Sequence, residues 1–169
     1  LFYLAAERVR LDRALRRVPR RVAVTGTRGK SGVTRLVAAG LRASGAKVLA
    51  KTTGSKPVLI LPDGSEQPFP RHGLPSILEQ KKLIRLAART GAKAIVAEMM
   101  SIREECLSAE SCRIIRPEIL ILTNVRLDHL DLMGRTKQAI AACLASAFPR
   151  NGTVILPAEE LFPVFSERA

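Results

Sequence analysis

The stretch VAVTGTRGKSGVTRL, residues 22–36, runs from a β-branched segment through two glycines and a Gly-Lys-Ser into a helical pattern. A strand, a glycine turn and a helix in that order aim successive backbone N–H groups and a helix N-terminus at one point, the geometry that binds phosphate. Gly26 and Gly29 permit the tight backbone, Lys30 can reach the β- and γ-phosphates of a nucleotide, and the Ser31 hydroxyl suits a Mg²⁺ ligand. A full Walker A loop would carry glycine at position 24, where this chain has Val24. What remains is G-x-x-G-K-S, a weaker pattern that its flanking strand and helix strengthen. A purely structural turn is the competing reading.

Working outward, RVAVT, KVLAKT, AIVAEM, EILILT and TVIL are short β-rich runs, most of them apolar throughout, as strands covered on both faces are. Helical spacing links them: Val33, Leu36, Val37 and Leu41 after the first, Ile77, Ile84, Ala87 and Ala88 before the third, Ile140, Leu144 and Ala147 before the last. This alternation predicts an α/β fold with a mostly parallel, doubly wound sheet and right-handed crossovers. Ahead of it, Leu4, Val9, Leu11 and Leu15 with arginines between them predict a basic helix ending near Pro19. The Pro-rich residues 57–75, with a Pro-Asp-Gly turn, break the rhythm and read as a small hairpin or ordered loop inserted in the sheet. The division expected is a helix over residues 1–20 and a nucleotide-binding domain over 21–169.

A phosphate loop needs a metal, and doubly wound sheets put an acidic residue for it at the C-terminal end of a neighbouring strand. AIVAEMMS offers Glu98 there, with an arginine-paired strand-end carboxylate as the alternative. The next strand runs into TNVRLDHLDLMG, which packs Asn124, Asp128, His129 and Asp131 into eight residues. A histidine between two aspartates just past a buried strand suggests a metal or phosphate site, and helix capping by the aspartates is the rival.

The 169 residues carry a formal charge of +13, with 47% of them apolar and 4% aromatic. The charge implies attraction to polyanions or anionic surfaces. Nucleic acid is disfavoured, because there is no Trp and no aromatic residues interleave with a basic strand. Cys106, Cys112 and Cys143 are odd in number and not spaced as a zinc site, so they read as free thiols of a reducing compartment. There is no run of eighteen apolar residues, so a membrane anchor, such as one upstream of Leu1, would lie outside this sequence.

GTRGKS, the strand-end Glu98 and NVRLDHLDLMG together resemble the central ATPase domain of the Mur ligase superfamily, in which the short glycine loop is usual. Within it the chain is most similar to the poly-γ-glutamate synthase ligase subunits, at Arg28, at KTTG (residues 51–54), at EQKKLIRLAARTGAKAIVAEMM and at FPRNGTVIL. The resemblance implies ATP and Mg²⁺ as cofactors and polymerisation of glutamate into poly-γ-glutamate through an acyl phosphate. It places Gly26, Thr27, Arg28, Gly29, Lys30, Ser31, Gly32 and Asn124 at the nucleotide. It makes Lys30, Glu98 and His129 catalytic and gives Ser31, Glu98 and His129 to metal. It further implies membrane subunits of a capsule-type synthase as partners and the cytoplasmic face of a bacterial membrane as the location, with self-association open. Three departures stand out. Gly32 replaces a usual Thr or Ser, Leu144 falls where many Mur ligases carry a carbamylated lysine, and this sequence stops before the C-terminal ligase domain usual in Mur ligases. A Mur or folylpolyglutamate ligase with another acceptor, or a non-catalytic nucleotide- or polyanion-binding module, are the alternatives.

Overall fold

The computed structural model describes residues 2–54, 56–71 and 73–168. His72, inside the expected insertion, lies outside the described residues. A seven-stranded sheet runs in the order β4-β3-β2-β5-β1-β6-β7. Its parallel part is β1 (Arg20–Thr25), β2 (Val48–Lys51), β5 (Ala94–Glu98), β6 (Ile119–Leu122) and β7 (Thr153–Ile155), the five runs expected from the sequence. β3 (Val58–Ile60) and β4 (Glu66–Pro68) form the hairpin of the insertion. It extends the sheet antiparallel from β2, pairing Lys51 with Leu59.

Side chains on successive strand residues point to opposite faces, and the two cores follow that period. Val22 and Val24 of β1, Val48 and Ala50 of β2, and Ala94 and Val96 of β5 face α2 (Lys30–Ala43), which packs Val33, Val37 and Leu41 against them. Ala23, Leu49, Ile95, Ala97 and Leu120 face the larger core on the other side, built from α1 (Phe2–Arg17), α3 (Leu78–Thr90) and α6 (Lys137–Ala145). Leu83, Ile84 and Ile140 are fully buried there, each worth roughly 1.5–3 kcal/mol of burial. Leu144 lies in the same core, so an apolar side chain occupies the position compared above with the family's lysine.

Between β5 and β6 the chain makes α4 (Glu104–Ser108) and a π-helical segment, Ala109–Ile115. After β6 come α5 (Leu130–Met133) and α6, and the chain closes with a 3₁₀ turn, Ala158–Glu160, and α7 (Pro163–Arg168). The connection from β1 runs toward β2, whereas that from β5 crosses to β6 on the far side. The C-terminal ends of β1 and β5 therefore form a topological switch point, where open α/β sheets bind ligands. Among the described residues no helix is long and apolar enough to cross a membrane.

Candidate functional site at the β1/β5 switch point

The glycine loop leaves β1 at Gly26, whose φ of 117° suits glycine alone. A Cβ there would stand 2.3 Å from Thr123 Oγ1, so the residue also allows a close approach to the end of β6. That neighbouring segment holds the loop. Thr27 N donates to the Asn124 carbonyl at 3.1 Å, and Thr27 Oγ1 and Arg28 N donate to Asn124 Oδ1 at 2.7 and 3.1 Å. Asn124 Nδ2 and Thr123 Oγ1 donate in return to the Arg28 carbonyl, at 3.1 and 2.7 Å. Asn124 thus spends both ends of its amide on the loop backbone.

Gly29 (φ 80°) opens α2, and no side chain caps the helix, which leaves its first-turn N–H groups for an anion. Lys30 reaches back across the loop, its Nζ donating to the Gly26 carbonyl at 2.8 Å and more weakly to that of Thr27 at 3.4 Å. Burial pushes the Lys30 pKa below the ordinary lysine value and Arg28 adds to this, although Glu98, Asp128 and Glu110 favour its charged form. Ser31, one residue on, donates its hydroxyl to Glu98 Oε2 at 2.8 Å. Thr53 N donates to the same oxygen at 2.9 Å, which leaves Glu98 Oε1 without a protein partner among the described residues. A hydroxyl and a carboxylate with a free oxygen are the hard donors Mg²⁺ takes, together with phosphate oxygens and water. The residues present therefore fit that ion. Gly32 is exposed, and a Cβ there would meet nothing within 4 Å, so its lack of a side chain is not a packing requirement.

The DHLD segment is tied to the loop by Asp128, whose Oδ2 lies 3.0 Å from Arg28 Nε. Its other oxygen, Oδ1, accepts from His129 N at 3.0 Å, and His129 sits at the start of α5 with φ 49°. The His129 side chain is exposed and, among the described residues, makes no hydrogen bond to Ser31 or Glu98, and Asp131 is likewise exposed. Among the described residues no three His, Cys, Asp or Glu side chains stand close enough together to hold a metal by themselves.

Sequence reading missed two polar clusters, one at the end of β2 and one at the end of β5. Lys51, at the end of β2, is wholly buried with its Nζ 3.0 Å from Glu79 Oε2 and 5.1 Å from the centre of the Phe69 ring. Arg71 grips the same carboxylate through two nitrogens, at 2.7 and 3.2 Å, and donates to the Gly54 carbonyl. Burial lowers the Lys51 pKa, against the pull of Glu79. Burial would raise that of Glu79, but Arg71 and Lys51 outweigh it and hold the carboxylate below its usual 4.5. On the other flank, Gln80 Nε2 bridges the Glu98 carbonyl and Glu110 Oε1, while Glu110 accepts from Met100 N and Ser101 N. A lysine ending an apolar strand was a usable signal for the first cluster. Glu110 had none, because its partner Gln80 is 30 residues away.

Two clefts flank this centre. One, of about 480 Å³, lies beside the loop between Gly29, Val33, Asn124, Ile155 and Pro157. The other, of about 360 Å³, lies past the end of β5 between Ser76, Met100, Ser101, Cys106 and Leu132.

A glycine loop of this form, at the switch point of a mostly parallel sheet, places the molecule among the P-loop α/β proteins. More narrowly, residues 24–167 match the Mur ligase middle domain, and the chain belongs to that family, part of a superfamily of ATP-dependent ligases. It is 34% identical over 165 residues to the PGA synthase CapB of Bacillus subtilis (strain 168), covering 96% of this chain and 42% of that protein. It is 33% identical over 128 residues to the UDP-N-acetylmuramoyl-L-alanyl-D-glutamate--2,6-diaminopimelate ligase of Pseudomonas syringae pv. tomato, covering 75% of this chain and 24% of that one. The fold matches E. coli FolC in complex with DHPP and ADP, with a TM-score of 0.69 at 18% identity, over 96% of this chain and 42% of that structure. The chain thus spans less than half the length of these relatives.

Proposed function

We propose that this chain is the nucleotide-binding part of an ATP-dependent ligase that joins an amino acid to a carboxylate, with glutamate as the amino acid and poly-γ-glutamate as the product. The observation that carries the ligase reading is the 2.8 Å contact between Ser31 and Glu98, one residue from Lys30 and at the switch point of the sheet. It sets a hard oxygen pair beside a cation where a γ-phosphate would lie.

A carboxylate resists attack by an amine until a phosphoryl group converts one oxygen into a leaving group. Transfer from ATP gives an acyl phosphate and ADP, and the amine then forms the amide and expels phosphate. Lys30 and the loop N–H groups oppose the charge that builds on the transferred phosphoryl oxygens. Ser31 and Glu98 would hold a first Mg²⁺, and Glu98 with His129 a second; when bound, the metal neutralises phosphate charge and orients its oxygens. The ion pair between Asp128 and the loop residue Arg28 supports the His129 part of this reading, because it ties the segment carrying His129 to the glycine loop. The cleft beside Gly29 and Ile155 suits a nucleotide base, and the one beside Ser101 and Cys106 admits the acceptor.

Glutamate polymerisation is supported by the similarity to the PGA synthase across 96% of the chain. With it go membrane subunits of a synthase complex as partners and a place at the cytoplasmic face of the membrane. The wider reading, an amino acid ligase with another acceptor, has the broader support, from the diaminopimelate ligase similarity and from the FolC fold. Incubation with ATP, Mg²⁺ and a panel of labelled amino acids separates the two. Glutamate-dependent phosphate release with a polymeric product is expected, whereas incorporation of another amino acid alone would select the wider reading. Lys30→Ala should cut turnover about 100-fold or more, and an unchanged rate would overturn the ligase reading.

A further inference from the structure

The N-terminal ends of the strands, opposite the glycine loop, carry a row of cations. In sheet order, β2, β5, β1, β6 and β7 are preceded or opened by Lys47, Lys93, Arg20, Arg116 and Arg150. At the spacing of neighbouring strands this row is roughly 20 Å long. Below β1, β6 and β7 it deepens into a cavity of about 730 Å³. Arg21, Arg113, Arg116, Arg150 and Arg168 line it against a single carboxylate, Glu118. It is larger than the cleft at Gly29 or the one at Ser101.

These guanidinium groups are poorly neutralised. Arg113, Arg150 and Arg168 are exposed and take part in no ion pair among the described residues. Arg21 is spent on carbonyls, donating to those of Arg116, Val18 and Pro19, and Arg116 has one carboxylate, Asp12, at 2.9 Å. Burial lowers the Arg21 pKa, Glu118 opposes this, and the nearby Arg116 adds to the lowering. A bound anion would relieve that repulsion.

We infer that this arginine cavity is a docking site for a carboxylate-rich polymer, a segment of γ-linked glutamate chain held away from the nucleotide. The inference rests on the glutamate reading proposed above. Guanidinium groups pair bidentately with carboxylates, and a row of them suits a repeating acid. The recessed shape favours a chain over the flat surface of a bilayer. Nucleic acid would need exposed rings for its bases, and Phe148, the aromatic side chain at this cavity, is buried against Phe165 with ring centres 5.1 Å apart.

The test is binding of a fluorescent γ-linked glutamate oligomer to the chain without ATP, read by anisotropy, with a fluorescent ADP analogue as control. Arg113→Ala with Arg150→Ala, both at exposed positions, should weaken oligomer binding about 10-fold or more and leave ADP affinity unchanged. Unchanged oligomer affinity in this variant would overturn the site. Tighter binding of a single-stranded oligonucleotide or of phosphatidylglycerol vesicles, lost in the same variant, would overturn the choice of partner. Neither measurement uses turnover, so a chain that incorporates glutamate yet fails here loses this inference alone. One that incorporates only another amino acid loses the glutamate reading instead.

Discussion

The glycine loop is held to β6 by neutral hydrogen bonds, whereas the segment facing it across Glu98 is held by charge. On the β6 side, Asn124 and Thr123 meet the Thr27 hydroxyl and the Arg28 backbone in contacts of 2.7–3.1 Å. On the β2 side, Lys51 and Arg71 converge on Glu79 and pin the turn at Gly54 and the hairpin behind it. The two solutions differ in what they tolerate. Neutral contacts are short and insensitive to pH. A buried ion cluster is strong while complete and costly once a partner is removed, because the charge left behind has no water.

Removing the Lys51 side chain attacks the charged flank directly and should have the largest effect on stability. Lys51→Ala leaves a cavity and strips Glu79 of one of its two cations, so a loss of about 3–5 kcal/mol is expected in urea unfolding. A loss below about 1 kcal/mol would mean that Arg71 alone satisfies the carboxylate. Asn124→Ala strikes the neutral flank and leaves Thr27 and Arg28 with unanswered polar groups. It should cost about 1–3 kcal/mol and loosen nucleotide binding more than it lowers stability. Equal nucleotide affinity in this variant would show that the loop keeps its shape without the clamp.

The smallest effect is a change of slope. Glu79 is held below its usual 4.5 in the folded protein, so its contribution is complete above that value and is lost as pH falls through the folded pKa. Unfolding measured between about pH 6 and pH 3 should show a shallower acid limb for Glu79→Gln than for the parent. Asn124→Ala should keep the parent slope, since the asparagine does not titrate and its removal leaves every carboxylate in place. An identical slope in both variants would remove the ionic account of the β2 flank.

Much of this frame was legible in the sequence. The five parallel strands announced themselves as apolar runs because strands covered by helices on both faces leave no room for polar alternation. Gly26, Gly29, Lys30 and Ser31 were legible because their spacing is local and the backbone geometry they require is set within six residues. Glu98 was legible as the last residue of a buried strand. The partners were not. Arg28 and Asp128 are 100 positions apart, and nothing in either segment marks the other. Asn124 could be found beside the loop's level in the sheet, but not the engagement of both ends of its amide with the loop backbone.

By itself, then, the sequence determined the layered α/β frame, the phosphate loop and the strand-end acid beside it, since each is written in neighbouring residues. Only the tertiary structure decided that Lys51, Arg71 and Glu79 form one buried cluster and that five arginines from four separate stretches of the chain line one cavity. Both depend on which strand ends lie side by side. That order is fixed by crossover connections and packing, and no local stretch of residues encodes it.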